Sequence, residues 1–89
     1  MKVRWSASAK ADLQRIRSWL QTIENAKPDR TIVALRDAAE QLARHDIGRP
    51  GELANTRALS ALDGRYVLAY ERQPSFIRIL AVYHTAQNR

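Results

Sequence analysis

The sequence predicts an α+β fold in the order β-α-α-β-β-β, a helical hairpin packed on a twisted antiparallel sheet. Two observations carry that expectation. The first half holds two apolar stripes at helical spacing, and the second half holds apolar runs separated by turn signals. At 89 residues, the chain is expected to form one domain spanning 1–89.

Each element has its own reason. Lys2-Val3-Arg4-Trp5 alternates polar and apolar residues, as a half-buried strand does. Ser6 or Ser8 can cap the helix that follows. Ala9, Leu13, Ile16, Leu20 and Ile23 then form one stripe on a helix over 7–23, which Trp19 extends. After a polar break, Pro28 fits the first turn of a second helix. Ile32, Leu35, Ala39 and Leu42 carry that helix to Arg44, with Arg36, Glu40 and Arg44 as i,i+4 pairs on its outer side. So short a connection predicts an antiparallel helical hairpin.

Asp46 to Asn55 reads as a loop, marked by Gly48, Pro50 and Gly51. Strands are expected at 56–62, 65–72 and 76–83, joined by Asp63-Gly64 and by Gln73-Pro74-Ser75. Within the last strand, alternation puts Ile77, Ile79, Ala81 and Tyr83 on one face.

Composition narrows the function. There is no cysteine, and His45 and His84 are isolated, so neither a thiolate site nor a zinc site is expected, and no cofactor is implied. No apolar run approaches the roughly 18 residues of a membrane span. The charged start Met1-Lys2-Val3-Arg4-Trp5 lacks the apolar core of a signal peptide, so a cytoplasmic location is expected. Net charge is +6, and twelve of the fifteen cations are arginine. By segment the charge is +4 over 1–17, −1 over 18–48 and +3 over 49–89. Arginine suits bidentate contacts with carboxylates or phosphates, so an acidic partner is favoured.

Enzyme templates fail: GxGxxG, P-loop, GxSxG and HExxH patterns are all missing. The surviving catalytic idea is metal-independent RNA cleavage, which needs a base, an acid and cations around the phosphorane-like charge. Glu52, Tyr83 and His84 could move protons, and Arg57, Arg65 and Arg78 could clamp phosphate. Each has a plainer reading as a solvated or packed side chain, and no catalytic set is favoured. Sequence-specific DNA binding is unmarked, because the helices lack a Gly-containing helix-turn-helix connection.

Trp5, Ala9, Asp12-Leu13 and Ile16, then Gly48-Arg49-Pro50-Gly51 with Asn55-Thr56-Arg57-Ala58-Leu59, occur in an order that resembles the RelE/ParE toxin superfamily. Tyr66-Val67-Leu68-Ala69-Tyr70 and Ile77-Arg78-Ile79-Leu80-Ala81-Val82-Tyr83-His84 complete the likeness, which is greatest to its ParE branch. The resemblance implies a toxin that inhibits DNA gyrase by binding and is neutralised by a ParD-like antitoxin. The RelE branch implies the alternative, ribosome-dependent mRNA cleavage, with Glu52, Arg65, Tyr83 and His84 as the nuclease set. On the binding reading, Arg57, Arg65 and Arg78 form a cationic face on one sheet, and Leu13, Ile16 and Leu20 supply an apolar surface to the partner. Oligomeric state stays open between a homodimer and a toxin–antitoxin heterotetramer.

Overall fold

A computed structural model describes residues 1–86. In chain order these form β1 (Lys2–Trp5), α1 (Ala7–Leu20), α2 (Pro28–Gln41), β2 (Arg49–Pro50), β3 (Arg57–Ala61), β4 (Tyr66–Arg72) and β5 (Phe76–His84). The sheet order is β1-β5-β4-β3-β2. The α+β layout is as expected, but the sheet is mixed: β1 runs parallel to β5, with Val3 opposite Ile77 and Trp5 opposite Ile79. The helical hairpin lies between these two strands in sequence and returns the chain so that β1 can join as an edge. The expected loop at 46–55 also contains the short β2, whose Arg49 and Pro50 pair antiparallel with Ala58 and Arg57.

Ser6 caps α1, its Oγ accepting from the Ala9 N–H at 3.0 Å. The helix stops at Leu20, three residues before Ile23. Thr22 Oγ1 donates to the Trp19 carbonyl at 2.6 Å, taking an acceptor that another helical turn would use. Ile23 is left 40% exposed instead of joining the stripe. Asn25, at φ 69°, turns the chain into α2, where Pro28 sits in the first turn and Asp29 pairs with Arg17 of α1. After Gln41 the bonds tighten to i→i+3, so Arg44 lies beyond α2. Among the described residues neither Arg36 nor Arg44 closes an ion pair with Glu40.

The core lies between the helices and one face of the sheet. Leu35, Leu68, Tyr70, Ile77 and Ile79 are fully buried, with Leu42 nearly so. Each buried aliphatic side chain contributes about 1.5–3 kcal/mol relative to exposure. At the β3–β4 turn, Asp63 and Gly64 take φ of 59° and 80°, and the Arg65 N–H donates to the Leu62 carbonyl at 3.2 Å. Asp63 and Gly64 take the positive φ expected of them, but Leu62 joins them at 54°, so the loop between the paired Ala61 and Tyr66 is four residues long where two were expected.

One irregularity decides which side chains face where. Ala69 pairs with Ala81 and Tyr70 with Ile79, leaving Leu80 as an extra residue on β5. The bulge reverses the alternation. Ile77, Ile79 and Val82 therefore belong to the core, while Ala81 moves to the opposite face with Arg78. The expectation of one face for Ile77, Ile79, Ala81 and Tyr83 is corrected accordingly.

The start of α1 satisfies the bulged segment. Ser6 Oγ donates to the Leu80 carbonyl at 3.3 Å, and Asp12 Oδ2 accepts from the Val82 N–H at 3.0 Å. Because β1 ends at Trp5, no strand is opposite Val82 to take that proton. Asp12→Ala is expected to cost about 1–3 kcal/mol by stranding the Val82 N–H, and Asp12→Asn, which keeps an acceptor, clearly less. Urea denaturation of the two variants checks this.

Candidate partner-binding site

The sheet face away from the helices carries a groove of about 410 Å³. Its floor follows from register. Arg49 stands opposite Ala58, Ala58 opposite Ala69, and Ala69 opposite Ala81, so three alanines form a row across β3, β4 and β5. Alanine is depleted in strands because it packs poorly on a pleated surface. Here the small side chains leave a channel, walled by Leu80 and by Leu53 and Thr56 from the loop after β2. Leu53 is 74% exposed, an apolar side chain with little of the chain's own surface to cover it.

The loop wall is fastened from the other side of the sheet. Arg57 shares a row with Tyr70 and Ile79, and its Nη2 donates to the Gly48 carbonyl at 2.6 Å. Asp46 lies 3.5 Å from Arg57 Nε and 3.8 Å from Arg72 Nη1. The Tyr70 hydroxyl, and after it the Asp46 charge, hold the Arg57 guanidinium above its ordinary pKa, against partial desolvation. No hydrogen bond of good geometry closes between the two side chains. Arg57 Nε and Tyr70 Oη are both buried without a hydrogen-bond partner, Asp46 meeting Nε only as an ion pair.

The three arginines expected to form one cationic face are separated. Arg57 is occupied in the loop clasp. Arg65 projects from the β3–β4 turn, its Nε donating to the Leu62 carbonyl at 3.1 Å. Arg78 lies on the open face, 3.6 Å from Glu71 and over the Phe76 ring, which Arg4 also approaches. Leu13, Ile16 and Leu20 are 5, 4 and 8% exposed. Their place as a partner surface is corrected: the helical stripe that made them look available is spent on the chain's own core.

The four nuclease candidates divide in the same way. Glu52 and Tyr83 line the open-face groove. Arg65 and His84 line a second cavity among the helices, where His84 meets Trp19 and Tyr66 edge-on at 5.0 and 4.8 Å. Tyr83, where β1 no longer covers β5, also borders a small cavity with Asp12, Ile16 and Trp19, so the sheet separates Glu52 from Arg65 and His84.

Residues 3–89 match the family described as the ParE toxin of the type II toxin–antitoxin system, parDE. The chain belongs to the ParE toxin family. It is 36% identical over 84 residues to a Caulobacter vibrioides protein called Toxin RelE3, covering 91% of this chain and 90% of that one. Among solved structures it resembles a chain of the chromosomal ParDE system of P. aeruginosa, with a TM-score of 0.82. That likeness, at 22% identity over 94% of this chain and 95% of the other, is one of fold. A chain of the RelBE2 toxin–antitoxin complex of Mycobacterium tuberculosis gives a TM-score of 0.69 at 29% identity, covering 93% and 88%. The protein is therefore a toxin of a type II toxin–antitoxin system in the ParE/RelE superfamily. Among the described residues of the toxin, no helix is long and apolar enough to cross a membrane.

Sequence reasoning passed over the residues that shape the groove. Ala58, Ala69 and Ala81 each look unremarkable alone. The available signal was alanine in the middle of three consecutive strands, where β-branched or aromatic residues are usual.

Proposed function

We propose that this toxin acts by grip: it binds DNA gyrase and inhibits it without bond-making of its own. A ParD-like antitoxin neutralises it in the cytoplasm. The observation that carries this reading is the division of Glu52 from Arg65 and His84 by the sheet. A general acid–base pair must reach the same phosphodiester, within hydrogen-bonding distance of the atoms that exchange protons. The open-face groove supports the antitoxin half of the reading. Its alanine floor and exposed Leu53 suit the apolar stripe of an amphipathic segment laid across the strands. Lys2 and Arg4, exposed on β1, suit that segment's carboxylates.

Purified toxin is expected to inhibit gyrase supercoiling and to raise the yield of cleaved DNA, and addition of the antitoxin to reverse both. Unchanged supercoiling at large molar excess of toxin refutes gyrase as the target. The name RelE3 of the 36% relative favours a second reading, ribosome-dependent mRNA cleavage. Transcripts cut in a translating extract, and left whole by His84→Ala, would establish that reading instead.

A further inference from the structure

Behind the sheet, where the turn between the helices meets the β3–β4 turn, lies a cup of about 460 Å³. Trp19, Lys27, Arg30, Arg65, Tyr66 and His84 line it. Its charge is one-sided. Lys27, Arg30 and Arg65 all contribute, no carboxylate is among the lining residues, and none of the three closes an ion pair among the described residues. The nearest acid in sequence, Asp29, pairs with Arg17. Three like charges around one cavity repel one another, and only Arg65 gives the fold a contact in return, through its bond to the Leu62 carbonyl.

The uncharged groups point the same way. His84 Nδ1 accepts from the Ala86 N–H at 3.0 Å, which leaves Nε2 as the ring's N–H donor. Burial pushes the Tyr66 phenol pKa up, with Arg65 pulling it down less strongly, so its hydroxyl stays protonated and able to donate. Lys27 gives the start of α2 no side-chain cap, so the positive end of the helix dipole adds to the rim. Between these donors the wall is apolar, formed by Leu62 and by Ile23, which is 40% exposed. A bare phosphate would leave that apolar wall in water. A peptide carrying a bulky apolar side chain between carboxylates would cover both parts.

We infer that the cup is a second docking site for the antitoxin, taking an acidic segment with one large apolar anchor. The inference rests on the antitoxin reading above. Groove and cup lie on opposite faces of the sheet, in a molecule about 25 Å across its shorter axes. A chain going round the molecule from one face to the other covers roughly 40 Å, about twelve extended residues at roughly 3.3 Å each, so one partner chain can reach both. Joining the sites makes the second contact intramolecular, and affinity rises with no need for either site to be strong alone.

The test uses the full toxin and a fluorescein-labelled peptide in which leucine and phenylalanine are flanked on each side by two glutamates. Anisotropy titration is expected to show saturable binding that weakens with salt. The pair Lys27→Glu and Arg65→Glu should lower affinity about 10-fold or more. The charge-matched pair Lys10→Glu and Arg36→Glu, outside both sites, should leave it within about twofold. The inference is overturned if the peptide fails to bind, or if both charge-reversed pairs weaken it equally. It is also overturned if Ala69→Arg in the groove abolishes binding. A parallel titration with the antitoxin separates the two failures. Antitoxin affinity lost in Ala69→Arg but untouched by the cup pair overturns the second site alone. No binding of antitoxin to the unmodified toxin overturns the reading beneath it.

Discussion

Gly48→Ala is expected to destabilise the toxin by about 2–3 kcal/mol, the range for forcing an atom into a packed interior. A Cβ at Gly48 would lie 1.9 Å from the Tyr70 hydroxyl oxygen and under 3 Å from two of its ring carbons. A flexible side chain could swing away from such a contact. Tyr70 has nowhere to go, being fully buried in the central strand β4. The backbone at residue 48 must then retreat, which strains the Arg57 bond to the Gly48 carbonyl and the pairing of Arg49 with Ala58. In a domain of this size the loss corresponds to a fall in Tm of roughly 10–20 °C. Tyr70→Phe should change stability by less than about 1 kcal/mol, because the hydroxyl it removes has no hydrogen-bond partner. Introduced with Gly48→Ala, it should recover part of the loss, since the nearest clash is with that oxygen. Thermal melts of the two single variants and the double variant check all three expectations. A Gly48→Ala protein that melts with wild type would show that this loop does not rest on Tyr70.

The second large effect is on binding. Ala69→Arg is expected to lower antitoxin affinity by about 100-fold, or about 2.8 kcal/mol at roughly 1.4 kcal/mol per decade. Ala69 is the middle of the alanine row, between Ala58 and Ala81, so a long side chain there obstructs the channel along its whole width. The guanidinium would also be desolvated beneath any apolar stripe laid over it. Its folding cost should be small, because the side chain points out of the core and its charged end can reach water. Ser75→Arg, which adds the same charge at the β4–β5 turn, serves as the control and should bind normally. Titration of each variant by calorimetry, with its melting temperature measured alongside, separates a blocked groove from a damaged fold. Equal affinities for Ala69→Arg and Ser75→Arg would remove the antitoxin from this face.

What could be read from the chain depended on how local its cause was. The stripe through Ala9, Leu13, Ile16 and Leu20, and that through Ile32, Leu35, Ala39 and Leu42, are core in the structure, because helical periodicity is a property of neighbouring residues. The Asp63-Gly64 turn was legible for the same reason. Ile23 escaped the first stripe because the backbone bonds tighten to i→i+3 after Leu20 and the chain then turns at Asn25. The parallel seating of β1 beside β5 depends on where two helices return the chain, and nothing within Lys2–Trp5 encodes it. The bulge at Leu80 was hidden by a sequence that alternates acceptably in either phase. At the site, Arg57 was read as part of a cationic face. Its work as a clasp depends on Asp46, Gly48 and Tyr70, which only the tertiary fold gathers around it. The groove was invisible because register, not residue type, turns three alanines into a row.

The two outermost strands carry a consequence for a protein released from its keeper. At one margin stands β2, two residues long, with a proline that has no amide proton to offer. At the other, β1 is four residues long and carries Lys2 and Arg4. A newcomer's backbone finds at neither border a long, uncharged ladder to zip onto. Pairing of one copy's outermost strand with another's is disfavoured by both borders.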